Sequence, residues 1–248
     1  MTRESVTLRD MRSIKSWFVL SRSVAFALAG AVLSGPALAR GIPIIPPDHM
    51  LSGMIRVIDG DTIEIAGNRV RLEGIDAPEL GQSCQTVSGQ GWDCGTAAMR
   101  ALVALTQQRR VECKVQALDK YGRVLAICSA GGINLNAEMI KTGHAWAFVK
   151  YSKLYVAEEA VARQAKLGVW QGAAVPAWDY RAGRWAGAVS DAPRGCAIKG
   201  NVSRSGLIYH MPWSPWYQRV AMSPDRGTRW FCSEADAMAA GWRPAMMR

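Results

Sequence analysis

Histidine is scarce in this chain. Only His49, His144 and His210 occur among 248 residues, with no pairing that would support a hydrolase built on an imidazole base. Long apolar runs are missing too: residues 23–33 fall well short of the roughly twenty needed to span a bilayer. The residue directly after Ala39 is Arg40 and not cysteine, which argues against a lipid anchor there. Zinc ligands are few: Cys196, His210 and Cys232 offer a zinc site as an alternative to a disulfide there, but with no obvious fourth ligand.

Five basic residues, Arg3, Arg9, Arg12, Lys15 and Arg22, lead into the apolar run, and Ala37-Leu38-Ala39 precedes Arg40. That order reads as a signal peptide over residues 1–39, cleaved after Ala39, and predicts a periplasmic or secreted protein. An uncleaved signal anchor is the alternative reading. In an exported chain, six cysteines point to disulfides. A regular hairpin through residues 119–122 would set Cys113 directly opposite Cys128. Cys84 and Cys94 bracket a Gly-rich loop, which leaves Cys196 with Cys232.

The chemistry-bearing residues sit close together. Asp61, Arg71, Asp76 and Glu79 fall within nineteen residues, and Asp119-Lys120-Tyr121-Gly122-Arg123 follows forty residues later. β-Branched runs on both sides of Gly67-Asn68 predict a hairpin in which Asp61 faces Gly74. Asp76 is then its diagonal neighbour, with Cα atoms roughly 7–8 Å apart. Two converging carboxylates without nearby Cys or His favour a hard cation, and an irregular, partly solvated shell suits Ca²⁺ better than Mg²⁺. Glu79 is placed to orient an attacking water, and Arg71 and Arg123 to neutralise charge on phosphoryl oxygens. The pattern predicts a metal-dependent phosphodiesterase.

These segments, with Asn134-Leu135-Asn136-Ala137 and Leu167-Gly168-Val169-Trp170, resemble the staphylococcal nuclease (thermonuclease) family over residues 54–171. The resemblance implies a five-stranded OB-type β-barrel with three helices, an α+β fold. It also implies an endonuclease hydrolysing DNA and RNA to 3′-phosphate ends. Position by position, Asp61 and Asp76 match the family's calcium carboxylates, with the Ala77 backbone carbonyl as a further ligand where a threonine is usual. Glu79 matches the catalytic glutamate, and Arg71 and Arg123 the phosphate-binding arginines. Lys120, Tyr121 and Tyr151 fall where the family contacts its nucleotide. Val149 replaces a base-contacting aromatic.

Helical spacing is expected over 96–109, 134–142 and 153–167, and strands over 54–65, 69–76, 111–118 and 123–129. The domain reading is a linker at 40–53, a nuclease barrel at 54–172, a Gly/Ala-rich linker at 173–193 and a small module at 194–248. Trp178 and Trp185 suggest that part of the second linker packs down. The module carries eight basic and three acidic side chains, a balance that suits nucleic acid or anionic envelope polymers as much as mere solubility. It resembles a small module found after nuclease domains in exported bacterial proteins, and more distantly the metal-binding module of alkylated-DNA repair regulators, most of whose ligand cysteines are absent. Its Tyr209, Trp213, Trp216, Tyr217 and Trp230 either stack on bases or build its core, and the core reading is preferred. Substrate nucleic acid is the expected partner and a monomer the expected state. A non-catalytic nucleic-acid-binding barrel is the competing hypothesis, and a tail that targets the enzyme is a third.

Overall fold

The computed structural model describes residues 45–119 and 123–245. The expected signal peptide, Lys120 and Tyr121 lie outside that range. Strands β1 (Met50–Gly53) and β2 (Ile55–Val57) are one segment broken at Met54, followed by β3 (Thr62–Ile65), β4 (Asn68–Leu72) and β5 (Ile75–Asp76). The hairpin β6 (Ser83–Gln85) and β7 (Gly91–Asp93) leads into α1 (Cys94–Thr106), whose first turn is capped by the Asp93 carboxylate accepting from the Thr96 N–H at 2.9 Å. Next come β8 (Val111–Leu118), β9 (Val124–Ala130), β10 (Ile133–Asn134), α2 (Leu135–Lys141), β11 (Trp146–Ala147) and α3 (Val156–Gln164).

The main sheet runs β1-β8-β9-β4-β3-β2, with β10 on β9. Its two ends belong to the single segment 50–57, so the sheet curls into a nearly closed barrel. Alternation fills it: Val70 and Leu72 of β4 are fully buried, as are Ile63, Val115 and Ala126 from neighbouring strands. Leu102 of α1 and Leu135, Met139 and Ile140 of α2 cover it from outside. Seven strand segments are seen in this sheet where five strands were expected, partly because the first is interrupted at Met54 and β10 is a two-residue addition.

The β3–β4 register departs from expectation. Thr62 pairs with Arg71 and Ile65 with Asn68, so the turn is Ala66-Gly67, not Gly67-Asn68. Both turn residues have positive φ, 49° and 76°, as a two-residue hairpin turn matched to strand twist requires. Asp61 thus lies across from Leu72, whose N–H donates to the Asp61 carbonyl at 2.8 Å. The displacement is two residues, so every side chain keeps its expected face.

Cys113 does pair with Cys128 across β8 and β9, although a bulge between Val115 and Ala117 shifts the ladder before the turn. Disulfides also join Cys84 to Cys94 and Cys196 to Cys232. Two stretches read as linkers carry structure: Met50–Gly53 pairs with β8, and α4 (Ala177–Asp191) occupies most of 173–193. In α4, Trp178 stacks on Phe148 with centroids 5.6 Å apart, which turns a Gly/Ala-rich run into a docked helix.

The C-terminal residues form β12 (Ile198–Ser203), β13 (Gly206–His210), β14 (Arg229–Phe231), α5 (Glu234–Ala239) and β15 (Arg243–Pro244). The sheet order is β14-β12-β13-β15, around Ile198, Tyr209, Phe231, Ala237 and Trp242. With both cysteines in a disulfide and His210 bonded to Asn201 at 2.8 Å, the zinc alternative falls. No helix among the described residues is long and apolar enough to cross a membrane.

Candidate active site

The end of β3, the middle of β4 and the end of β5 bring three charged groups to one point. Arg71 Nη1 donates to Asp61 Oδ1 at 2.8 Å and Arg71 Nη2 to Asp76 Oδ1 at 2.6 Å. Asp61 is held further by the Thr62 hydroxyl at 2.9 Å and by the Ala77 N–H, which donates to Oδ2 at 2.9 Å. Asp76 is fully buried and Asp61 nearly so. The two carboxylates therefore converge as expected, through a register that was not.

Glu79 sits on the following loop, pinned from two sides. Its N–H donates to Gln82 Oε1 at 3.0 Å, and the buried Gln82 amide reaches the Val175 carbonyl at 2.6 Å. Its carbonyl packs on the start of α1 so closely that a Cβ on Gly95 would lie 1.9 Å from that oxygen. Only glycine allows that approach.

Sequence reading missed Arg181. This α4 residue donates through Nη1 and Nη2 to Asp76 Oδ1 and Oδ2 at 3.0 and 2.8 Å, and through Nη1 to Glu79 Oε1 at 2.7 Å. A helical spacing of Trp178, Arg181 and Trp185 was the available signal; reading the run as a linker hid it.

Two guanidinium groups thus serve three carboxylates, and Asp59 adds a fourth acidic group beside them. Burial pushes Glu79 up to about 7, against the pull of Arg181. Burial and the Asp61 charge push Asp59 up to about 6. For Asp61 burial acts in the same direction, but Arg71, the Ala77 N–H and Arg181 overcome it and hold the carboxyl below its ordinary value. Arg71 and Arg181 lose solvation too, yet the neighbouring carboxylates raise both above the usual arginine range, so both stay charged.

A cleft of about 530 Å³ opens over this cluster. Arg69, Arg71, Glu79, Arg123 and Arg181 line it, while Asp61 and Asp76 lie behind the two arginines. Arg123 reaches it from the β8–β9 turn with its Nε on Asp119 Oδ2 at 2.6 Å. Tyr151 is exposed at the rim, edge to face with Phe148 at 4.8 Å. The far wall comes from the C-terminal module, with Tyr209, Trp213, Trp216 and Glu234 among its residues. The module's aromatics divide: Tyr209 and Tyr217 are buried, as the core reading expects, whereas Trp213 and Trp216 are half-buried at the cleft.

The donor chemistry suits a hard cation: carboxylate oxygens converge, and Arg181 already holds positive charge against Asp76 and Glu79. Among the described residues no three His, Cys, Asp or Glu groups stand open to one ion; Arg71 and Arg181 lie between the acidic groups.

Residues 69–172 match the family model described as staphylococcal nuclease homologue, which takes in Arg71, Asp76, Glu79 and Arg123 and leaves the C-terminal module outside. Succinoglycan biosynthesis protein ExoI of Rhizobium meliloti is 35% identical over 158 residues, covering 62% of this chain and 81% of that protein. The micrococcal nuclease of Shigella flexneri is 34% identical over 174 residues, covering 63% and 88%. An uncharacterized endonuclease of Escherichia coli is 36% identical over 136 residues, covering 52% and 82%.

Proposed function

Because the chain belongs to the staphylococcal nuclease family and is a phosphodiester hydrolase of that kind, we propose that it is an exported, calcium-dependent nuclease cleaving DNA and RNA to 3′-phosphate ends. The observation that carries this reading is the convergence of Asp61, Asp76 and Glu79 on Arg71 and Arg181 at the floor of one cleft.

Asp61, Asp76 and the Ala77 carbonyl are the groups that would hold Ca²⁺. Bound there, the cation supplies charge neutralisation to the phosphoryl oxygens. Glu79 lines the cleft with a carboxyl at about 7, so near neutral pH it can take the proton of an attacking water. As the water oxygen bonds to phosphorus, the P–O5′ bond breaks, the phosphate stays on the 3′ side and the leaving 5′ oxygen takes up a proton from solvent to become a hydroxyl. Arg71 and Arg123 supply guanidinium donors to the phosphate. Arg181 holds both Asp76 oxygens and Arg71 one oxygen of each aspartate, so a divalent cation would have to displace guanidinium contacts to use these carboxylates. Three disulfides fit an oxidising compartment.

The test is hydrolysis of single-stranded DNA and of RNA by the chain from Arg40 onward, with Ca²⁺, with Mg²⁺ and with a chelator, the product ends being read by mass spectrometry. Ca²⁺-dependent release of 3′-phosphate ends is expected. Binding without cleavage under any metal would instead make this a non-catalytic barrel.

A further inference from the structure

The cleft continues beyond Glu79 onto features that the cleavage chemistry leaves unused. On β4, alternation puts Arg69 on the same face as Arg71, and both line the cleft. Arg71 is committed to Asp61 and Asp76. Arg69 is not: its Nε is buried with no hydrogen-bond partner among the described residues. Buried donors are normally satisfied, and leaving one unpaired is costly. An N–H donor left so beside a phosphodiester-cleaving centre is suited to an anionic oxygen.

Across from it stands the segment Trp213-Ser214-Pro215-Trp216. Its tryptophans are half-buried and belong to the cleft wall, outside the module's own core of Ile198, Tyr209, Phe231, Ala237 and Trp242. This wall is fixed against the catalytic loop. Pro215 would meet a Cβ on Gly81 at 3.2 Å, Arg184 Nε donates to the Pro212 carbonyl at 3.3 Å, and Trp185 lies 6.4 Å from Trp213. The wall's acidic group, Glu234, is engaged by the Tyr209 hydroxyl, and Asp59 on the near side accepts the Asp61 N–H at 3.1 Å.

We propose that Arg69 and the Trp213–Trp216 segment form a second nucleotide subsite, which holds the phosphate and base of a nucleotide flanking the scissile bond. This rests on the nuclease reading above and narrows its substrate to single strands. A base presents a free face to tryptophan only when it is unstacked, and such stacking tolerates any sequence. The C-terminal module is then part of the substrate site.

The test uses the whole mature chain and fluorescein-labelled oligothymidylates of two and eight nucleotides. Anisotropy with chelator present reads binding without cleavage, and kcat and KM are measured with Ca²⁺. For Arg69→Ala and for Trp216→Ala, the Kd and KM of the octamer should rise at least fivefold more than those of the dinucleotide, with Arg69→Lys recovering part of the loss. Octamer pre-annealed to oligoadenylate should bind more weakly than the single strand. Variants that keep a wild-type circular dichroism spectrum and bind the octamer as wild type does would overturn the subsite. If the wild type cleaves nothing, the nuclease reading fails, while anisotropy still decides whether Arg69 and Trp216 hold the strand.

Discussion

Arg181 grips Asp76 with two parallel hydrogen bonds, Nη1 to Oδ1 at 3.0 Å and Nη2 to Oδ2 at 2.8 Å, across 105 residues of chain. Paired, in-plane bonds of this kind are the strongest form of arginine–carboxylate contact. They bind the helix after the barrel to a carboxylate at the barrel's centre. The same contact sets a cost on any cation that needs those oxygens.

Removing the competitor should therefore favour the cation. Arg181→Ala is expected to tighten Ca²⁺ binding about tenfold or more by titration calorimetry, and Arg181→Lys, which cannot make the paired contact, should fall between. Equal or weaker binding by Arg181→Ala would show that the arginine supports the ion instead of opposing it.

Glu79→Gln keeps the shape of the side chain and its contact with Arg181 while removing the base. Turnover on single-stranded DNA should fall by about 10²–10⁴. Oligonucleotide affinity and the circular dichroism spectrum should stay near wild type. Turnover within a few-fold of wild type would remove Glu79 from the base role.

Glu79 and Asp59 also set a pH dependence of stability in the cation-free protein. Both carboxyls are raised, from 4.5 to about 7 and from 3.8 to about 6. The folded state then binds more protons than the unfolded state in that window, so the contribution is complete below the unfolded values and is lost as pH climbs through the folded ones. Asp61, whose carboxyl is lowered, works in the opposite sense and loses its contribution only on acidification below its unfolded value of 3.8. Urea titrations from pH 5 to 8 with chelator should show unfolding free energy falling with pH, and falling less in Glu79→Gln.

The Cys113–Cys128 disulfide closes a 15-residue separation between two fully buried positions at the root of the turn that carries Arg123. Replacing both cysteines with serine should cost about 3 kcal/mol or more, read by chemical denaturation. No loss of stability would mean that the strand pair holds without its link.

Gly95→Ala probes the seat of Glu79. With 1.9 Å between the new Cβ and the Glu79 carbonyl oxygen, either α1 or the loop must move. A stability loss of about 1–3 kcal/mol is expected, together with lower turnover, because the shifted loop carries the base with it. An alanine variant as active and stable as wild type would show that Glu79 does not depend on this close approach.

Local rules carried much of the reading. The helices at 94–106, 135–141 and 156–164 fall inside or near the stretches that apolar spacing marks. The Cys113–Cys128 pairing matches hairpin arithmetic even though a bulge intervenes, because Leu118 pairs one residue further on than assumed, with Val124, and the bulge between Val115 and Ala117 takes up that residue. The β3–β4 turn was misplaced by one residue because Ala66 was not expected at positive φ, a conformation that Gly and Asn adopt far more readily than Ala. That error moved the register by an even number, so Asp61 and Asp76 keep the face on which they meet.

What the sequence determined by itself is the chemistry. Asp61 and Asp76, at even steps across paired strands, must share a face, since the pleat repeats every two residues and short turns leave little freedom. Only the tertiary structure decided what surrounds that chemistry: Arg181 on Asp76, Gln82 between Glu79 and Val175, an Arg69 Nε without a hydrogen-bond partner among the described residues, and Trp213 and Trp216 lining the cleft. Those contacts join residues up to a hundred or more apart, and they depend on how a closing barrel and a docked helix meet. No local period encodes that meeting, because it is fixed by the packing of whole surfaces and not by the steps within any one of them.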